Sequence, residues 1–331
     1  MDVQQPTAPT PPLTLGIDLG GSKILTAVVD SHGTVQAHDR CSTPAEAGKQ
    51  AVLKAIFRSV ERTMTQAGLA AADLSAVGVG VPGPSNPQTG ILFSSPNLPG
   101  WRDVPIRDII AREIGLKAFL INDANAAAVA EFHYGAGRGA CCFIYITVST
   151  GIGGGFIIDG KVFSGARGMA AEIGHMTIEA DNGPPCNCGN TGCWEALASG
   201  TALADEARRR LQQGAQSTML TYADGELDKV TARVVQLAAQ AGDPLADQLL
   251  LRTSHYLGTG FANLINVINP DVMAIGGGLA KIGDRLLKPA YAVAKKRAFA
   301  SAYAAVRFAA AELEGNSGVI GAAAHALQEI R

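Results

Sequence analysis

The chain has 331 residues, of which 47% are hydrophobic, and its formal net charge is −2. This length and apolar content suffice for a substantial core and favour two domains. The small net charge argues against a nucleic-acid-binding surface, and no apolar run reaches the roughly 18 residues of a membrane span. With no apolar signal segment at its N-terminus, the sequence predicts a soluble, cytoplasmic protein without a membrane or nucleic-acid partner.

The first half of the chain predicts alternating strands and helices. Residues 1–12, MDVQQPTAPTPP, are rich in proline and lack apolar periodicity, which predicts a flexible tail. LTLGIDLGGSKILTAVVD then predicts two strands joined by a glycine turn, and TVQAHDRCST a third. Apolar residues at helical spacing between 45 and 68 predict a helix. The strand LSAVGVGV, a helix over Ile106–Ile114 and the strand AFLIND complete the order β-β-β-α-β-α-β.

A second copy of this order begins at Ala140. CCFIYITVSTGIGGGFIIDGKVFSG again predicts a strand, a glycine turn and a strand. There follow a long helix over Pro244–Ile268, the strand DVMAIGGG, a helix after Gly283, the strand VRFAAAEL and a last helix from about Gly318. Two related β/α halves predict an α/β protein that holds its ligand in a crevice between them and closes by a hinge motion.

A cluster of metal-binding residue types lies in the second half. One imidazole and three thiolates, in the pattern C-x-C-x₄-C, are the donor set of a closed tetrahedral zinc site: His175, Cys186, Cys188 and Cys193. A disulfide framework is the alternative, but such frameworks are typical of short secreted chains. Two carboxylates, Glu172 and Glu195, bracket the cluster without a metal role and are candidates for holding a substrate.

Glycine-rich turns follow three apolar strands, at Asp18–Lys23, Ser149–Gly155 and Gly276–Gly278. Their backbone N–H groups can approach an anion closely because no Cβ intervenes. A single glycine turn is weak evidence, since hairpins use glycine for conformational reasons, but recurrence in both halves favours phosphate binding. None matches a P-loop or the full context of a dinucleotide fingerprint, which argues against a Walker ATPase and a dehydrogenase.

The strand AFLIND ends in two polar residues, Asn122 and Asp123, where a helix begins. Asp123 could act as a helix N-cap. However, the carboxyl ends of strands in open α/β sheets are where ligands bind. A carboxylate there can accept a proton from an attacking hydroxyl group during phosphoryl transfer.

Taken together, DLGGSK, LINDANAAA, STGIGGG and EIGHMTI followed by CNCGNTGCWEALASG closely resemble the ROK family of bacterial sugar kinases and sugar-responsive repressors. The resemblance covers nearly the whole chain. It implies an actin-like ATPase fold of two RNase H-like β/α domains around a central cleft. Residues 13–125 and 318–331 would form the small N-terminal domain, and 126–317 the large C-terminal domain with the zinc loop 175–193.

The resemblance also implies the sugar site. Asp123 would be the general base, and Asn122 would bind a neighbouring hydroxyl. The ring would be held by Glu172, His175 and Glu195, with one nitrogen of His175 on zinc and the other donating to the sugar. Asn97 would be a further sugar contact, although an asparagine before Leu-Pro could instead shape the loop.

The same resemblance implies the nucleotide contacts. The residues facing ATP would be Gly20, Gly21, Ser22, Lys23, Thr150 and Gly151, with Gly277 near the adenosine. Asp18 would act through Mg²⁺ and its waters, or would fix the hairpin turn. The zinc would be structural in coordination, with no metal-bound water taking part in the reaction.

The implied activity is ATP-dependent phosphorylation of a hexose. The EIGHMTI and WEALASGTA segments are most similar to the glucokinase branch, which makes glucose 6-phosphate. Kinases of N-acetylmannosamine, N-acetylglucosamine, fructose or mannose remain alternatives, as does polyphosphate as donor. A sugar-sensing regulator is a further alternative, but only about a dozen residues precede the first strand, too few for a helix-turn-helix domain. The family implies a homodimer.

Overall fold

The computed structural model describes residues 11–95 and 97–330. The predicted tail, 1–12, lies outside the described residues except for Pro11 and Pro12. The chain forms two compact units. Unit 1 takes its residues from Met1–Tyr134, Gly165–Met169 and Gly315–Arg331, and unit 2 takes its residues from Gly135–Ser164 and Ala170–Glu314.

Unit 1 is built on a five-stranded sheet. Its strands and first helices are β1 (Leu13–Leu19), β2 (Lys23–Asp30), β3 (Val35–Ser42), α1 (Lys49–Ala67), β4 (Val77–Val81), β5 (Ser85–Asn86), β6 (Ile91–Ser94), β7 (Arg102–Val104), α2 (Ile106–Ile114), β8 (Ala118–Asn122) and α3 (Asp123–Tyr134). The main sheet has the order β3-β2-β1-β4-β8. The predicted hairpin, third strand and two helices are present, and their apolar residues fill the core between the sheet and α1 and α2.

The last helix of the chain, Ser317–Glu329, packs directly on the main sheet of unit 1. A Cβ on Gly16 of β1 would lie 2.1 Å from the Val319 carbonyl oxygen, and one on Gly78 of β4 would lie 1.8 Å from that of Ala322. Larger residues at these positions would push the helix off the sheet. Gly16 and Gly78 therefore allow the last helix to lie close to strands β1 and β4.

Two features of unit 1 differ from the prediction. The strands β5, β6 and β7 form a separate antiparallel sheet, with two to four residues each, too short to show strand periodicity. The predicted domain boundary at residue 125 falls inside α3. Because this helix is continuous and packs against the last helix of the chain, unit 1 extends to Tyr134.

Unit 2 repeats the architecture. Its elements are β9 (Cys142–Val148), β10 (Ile152–Ile158), β11 (Lys161–Val162), α4 (Trp194–Ala198), α5 (Gly200–Gln212), α6 (Met219–Tyr222), α7 (Ala232–Gln240), α8 (Pro244–Ile268), β12 (Val272–Gly276), α9 (Asp284–Arg297), α10 (Ala300–Ala305) and β13 (Arg307–Ala310). The sheet order is β11-β10-β9-β12-β13. Helices α4 to α7 are not predicted from the sequence. Helix α8 has the predicted bounds.

Both five-stranded sheets share one pattern of strand directions. In each, the first two pairings are antiparallel and the next two are parallel. The duplicated β/α order predicted from the sequence is thus found in the two sheets. The core of unit 2 centres on Trp194 and Phe261, which are fully buried and meet edge to face at 5.8 Å. No helix among the described residues is both long enough and apolar enough to cross a membrane.

Candidate functional site

The first glycine turn connects β1 and β2 in unit 1. The Gly20 N–H donates to the Lys23 carbonyl at 2.9 Å, and the Thr43 hydroxyl donates to the Gly20 carbonyl at 2.7 Å. A Cβ on Gly21 would lie 2.4 Å from the Cβ of Asn97. The structure therefore places Asn97, predicted to contact sugar, directly against the turn predicted to contact phosphate.

Asp18 lies at the end of β1, beside this turn. A Cβ on Gly318, in the first turn of the last helix, would lie 2.7 Å from an Asp18 carboxylate oxygen. The N-terminal end of a helix favours negative charge. Burial raises the pKa of Asp18, while the positive charge of Lys23 lowers it. Because burial disfavours the charge of Asp18, a cation such as hydrated Mg²⁺ beside it would stabilise its carboxylate form.

The predicted base and its neighbour lie at the junction of β8 and α3. The Asn122 Oδ1 accepts from the backbone N–H groups of Ala124 at 3.0 Å and Asn125 at 3.2 Å. Asn122 is therefore the N-cap of α3. Asp123 is the first residue of the helix, half-buried, with its Oδ1 accepting from the Ala124 N–H at 2.8 Å. The Asp123 carboxylate therefore accepts from an N–H of the first helical turn, as predicted for a capping role, although Asn122 occupies the N-cap position itself.

The register of the sheet places Asp18 and Asp123 at the same edge. β1, β4 and β8 are parallel, and Asp18, Gly80 and Ile121 lie side by side across them. Asp123 follows two residues after Ile121. Since neighbouring strands are about 4.8 Å apart, β1 and β8 are separated by about 10 Å at this edge. Both carboxylates thus belong to the carboxyl-terminal edge of the sheet.

The four predicted zinc ligands converge in unit 2. The ligand atoms of His175, Cys186, Cys188 and Cys193 all lie within 4.8 Å of one another. The Cys186 Sγ is 3.6 Å from His175 Nδ1, and the Cys188 and Cys193 sulfurs are 3.7 Å apart. Thiolates bound tetrahedrally at about 2.3 Å from zinc would be about 3.8 Å apart. The donor set and its spacing therefore fit a zinc ion.

The surroundings of Cys193 oppose ionisation of its thiol. Burial, followed by hydrogen bonds from the neighbouring thiols, raises the pKa of Cys193 to about 12. A dication at the centre of the cluster would favour the thiolate and offset this effect. Since Nδ1 of His175 faces the thiols, Nε2 is the ring nitrogen left to contact a substrate.

The structure also gathers the two predicted carboxylates near His175. Glu195 of α4 accepts from the Ile152 N–H at 2.8 Å through Oε2, and a Cβ on Gly151 would lie 2.2 Å from the same oxygen. Glu172 is exposed as a residue, but desolvation of its carboxyl group raises the pKa of that group. The charge of His175 lowers this pKa, and the charge of Glu195 raises it. The three side chains are thus within electrostatic reach, and Glu195 also contacts the second glycine turn.

The second and third glycine turns meet in unit 2. Gly277 has a φ of +92°, and a Cβ there would lie 2.4 Å from the Val148 carbonyl oxygen at the end of β9. The Thr201 N–H, in the first turn of α5, donates to the Thr150 carbonyl at 3.2 Å. Thr150, Gly151 and Gly277 therefore lie in adjoining loops, next to the N-terminus of a helix, which is favourable for anions.

Two further polar residues near the predicted site have buried atoms that lack a hydrogen-bond partner within the described part of the chain. They are Ser95 Oγ, two residues before Asn97, and Asn125 Oδ1, two residues after Asp123. Unpaired buried polar atoms call for a partner such as a water or a ligand. Ser95 and Asn125 each lie two residues from a predicted site residue, and this spacing could have identified them from the sequence as candidate site residues.

The fold is that of the actin-like ATPase class, to which ROK sugar kinases belong. A ROK family glucokinase from Streptomyces griseus, in complex with glucose and AMPPNP, matches with a TM-score of 0.80 and 34% identity over 96% of this chain and 99% of that one. The ROK hexokinase of Thermus thermophilus matches with a TM-score of 0.81 and 37% identity, with coverage of 96% and 99%. The predicted fold class is confirmed.

The family is identified by its sequence model, since the ROK family model matches residues 14–329, and the chain belongs to this family. The glucokinase of Halalkalibacterium halodurans is 36% identical over 93% of this chain and 92% of its own length. A xylose repressor of Caldicellulosiruptor bescii is 30% identical over 96% of this chain and 78% of the repressor. These relatives support a ROK sugar kinase, in a family that also contains regulators.

Proposed function

We propose that this protein is a glucokinase, which transfers the γ-phosphoryl group of ATP to the 6-hydroxyl of glucose. The observation that carries the proposal is the position of Asp123 at the carboxyl edge of the unit 1 sheet, where ligands of open α/β sheets bind. Because Asn122 supplies two hydrogen bonds to the start of α3, the cap does not depend on Asp123 alone. The full-length similarity to a glucokinase that binds glucose and AMPPNP supports the same activity.

In the proposed reaction, Asp123 accepts the proton of the glucose 6-hydroxyl as its oxygen attacks the γ-phosphorus. The new O–P bond forms as the bond from the γ-phosphorus to the bridging oxygen breaks, and ADP leaves. The turn of Gly20, Gly21, Ser22 and Lys23 and the turn with Thr150 and Gly151 face the phosphates; the Gly20 N–H itself donates to the Lys23 carbonyl and closes the first turn. Gly277 contacts the adenosine. When bound, Mg²⁺ held through Asp18 neutralises phosphate charge.

The proposal assigns a role to each predicted sugar contact. His175 Nε2 donates to one sugar hydroxyl, and a zinc ion held through Nδ1 would fix the tautomer of the ring. Glu172 and the free oxygen of Glu195 accept from others. In unit 1, the Asn122 amide nitrogen is the group available to a hydroxyl, because its oxygen caps α3. Asn97 contributes from its place against Gly21.

The similarity to xylose repressors favours a second candidate function, a sugar-sensing regulator. Such a protein would bind its sugar without turning it over. A general base is of no use to it, so the placement of Asp123 argues for the kinase. A homodimer stays a prediction from the family resemblance, a cytoplasmic location stays a prediction from the sequence, and polyphosphate stays an alternative donor.

Phosphorylation of a hexose panel by the purified, zinc-loaded protein tests the proposal. The panel contains glucose, mannose, fructose, N-acetylglucosamine and N-acetylmannosamine, with ATP and Mg²⁺ or with polyphosphate. We expect the highest kcat/KM for glucose with ATP. Preference for another hexose would contradict the glucokinase assignment while keeping the kinase. Sugar binding without any turnover, by a folded protein that retains zinc, would support the regulator instead.

A further inference from the structure

Ala171, directly before Glu172, has an unusual backbone conformation. Five non-glycine residues within the described ranges have a positive φ, and four of them are aspartate or asparagine: Asp103, Asp159, Asp224 and Asn269. Those side chains tolerate the left-handed region, whereas alanine seldom adopts it. Ala171 has a φ of +66° and no polar side chain to compensate. Such a conformation persists only where the surrounding structure enforces it.

The residues after Ala171 form a tight sequence of turns. The Ile173 N–H donates to the Ala171 carbonyl at 2.7 Å, and Glu172 between them has φ −71° and ψ 54°. These values define an inverse γ-turn centred on Glu172. The His175 N–H then donates to the Glu172 carbonyl at 3.1 Å, which begins a short 3₁₀ turn over Ile173–His175. The direction of the Glu172 side chain is therefore set by the backbone of its neighbours.

Both ends of this segment are fixed. Ile173 is 3% exposed, and its Cδ1 would lie 2.4 Å from a Cβ on Gly154 of β10. A Cβ on Gly174 would lie 2.1 Å from the Ile152 carbonyl oxygen, so the 3₁₀ turn sits tightly on the same strand. On the other side, the Ala170 N–H donates to the Ser164 carbonyl at 3.1 Å. Ala171 and Glu172 bridge these two anchored positions.

We propose that Ala171 is a positioning residue whose left-handed backbone aims the Glu172 carboxylate at the sugar, beside His175 and Glu195. The inference rests on the proposed function, because Glu172 is taken as a sugar contact. A residue at 171 that avoids positive φ would force the chain between the anchors onto another path. The γ-turn would then be lost and the carboxylate displaced, while the glycine turns predicted for ATP would be unaffected.

The test is a series of substitutions at position 171 that separates backbone conformation from side-chain size. Glycine and asparagine adopt positive φ, whereas valine, close to asparagine in volume, is β-branched and avoids it. We expect Ala171→Gly and Ala171→Asn to keep the glucose KM within roughly threefold of wild type. We expect Ala171→Val to raise the glucose KM by roughly tenfold or more, with the ATP KM within about twofold, because small displacements of a substrate contact are costly.

Ala170→Val is the matched control, since it adds the same side chain one residue earlier at a position without positive φ. It should leave the glucose KM near wild type. The melting temperature and zinc content of every variant separate a change in sugar binding from a loss of structure. A wild-type glucose KM in Ala171→Val, or equal losses in the asparagine and valine variants, would overturn the inference. Absence of turnover in the wild type would instead contradict the proposed function, and with it the role of Glu172.

Discussion

Two adjacent residues, Asn122 and Asp123, accept hydrogen bonds from backbone N–H groups at the start of α3. The amide oxygen of Asn122 satisfies two backbone N–H groups that the helix leaves unpaired. Asp123, one residue later, gains from the helix dipole in its charged form. Asp123 also accepts from the Ala124 N–H, but the two bonds to Asn122 would remain if the proposed base took a proton.

Replacing Asp123 by asparagine should therefore abolish turnover and preserve the fold. We expect kcat to fall by about 10²–10⁴-fold, the contribution typical of general-base catalysis, with the glucose dissociation constant nearly unchanged. Steady-state kinetics and calorimetric titration of glucose check the two expectations. Asp284→Asn is the matched control, because Asp284 is the first residue of α9 and pairs with Lys288. Near-wild-type kcat in Asp123→Asn would remove the general-base assignment.

Helix α5 shows how charges stabilise one element of unit 2. The Glu206 carboxylate accepts from Arg209 Nε and Nη2 at 2.8 Å and 2.7 Å, and from Arg210 Nε at 2.9 Å. Its side chain is 11% exposed. These hydrogen bonds, to Arg209 first, lower the pKa of Glu206 to about 2. The basic run Arg208–Arg210 is thus partly a structural device that holds one shielded carboxylate.

The depressed pKa of Glu206 predicts a pH-dependent contribution to stability. A carboxylate whose pKa is lowered on folding stabilises the native state above its unfolded pKa, 4.5, and loses this effect as pH falls towards about 2. Glu206→Gln should therefore lower the free energy of unfolding by about 1 kcal/mol at pH 7. The difference from wild type should shrink below pH 4.5. Urea unfolding at a series of pH values measures it.

The control for Glu206 is Glu226→Gln. The Glu226 side chain is 62% exposed in its ion pair with Lys229, and exposed pairs contribute little. We expect a change of only a few tenths of a kcal/mol at any pH. If Glu206→Gln were equally harmless at pH 7, or if its effect persisted unchanged into acid, the shielded ion pair would not be the source of stability.

The zinc cluster joins the two ends of the loop 175–193. His175 follows the turn that presents Glu172, and Cys193 immediately precedes α4, which carries Glu195 and the buried Trp194. A bound ion would thus fix the positions of Glu172 and Glu195 relative to each other. Loss of the ion should therefore weaken sugar binding as well as disorder the loop.

Removal of the metal tests this view. We expect one zinc per chain by elemental analysis, and we expect chelation to lower the melting temperature and raise the glucose KM by roughly tenfold or more, since metal binding is coupled to local folding. Cys193→Ser should behave in the same way without chelator. Cys141→Ser is the control, because this exposed thiol lies outside the cluster. Full glucose affinity in zinc-free protein would contradict the proposed role of the ion.

The sequence determined much of the fold and most of the chemistry. Strand and helix periods, glycine turns and the internal duplication are local patterns, so β1 to β3, α1 and α8 could be predicted from them. The zinc donors could be predicted too, because the donor set depends on residue types and short spacing. The sheet β5–β7 could not, since strands of two to four residues carry too little periodicity.

Contacts between distant residues decided the remaining features. Asn97 lies against Gly21, and Glu195 accepts from Ile152, only because the folded chain brings these positions together. Asn122 rather than Asp123 holds the N-cap position because α3 already begins at Asp123, and the Asn122 Oδ1 reaches the N–H groups of Ala124 and Asn125. The left-handed Ala171 is the clearest case. Alanine has no intrinsic preference for positive φ, so only packing on both sides of the turn imposes it.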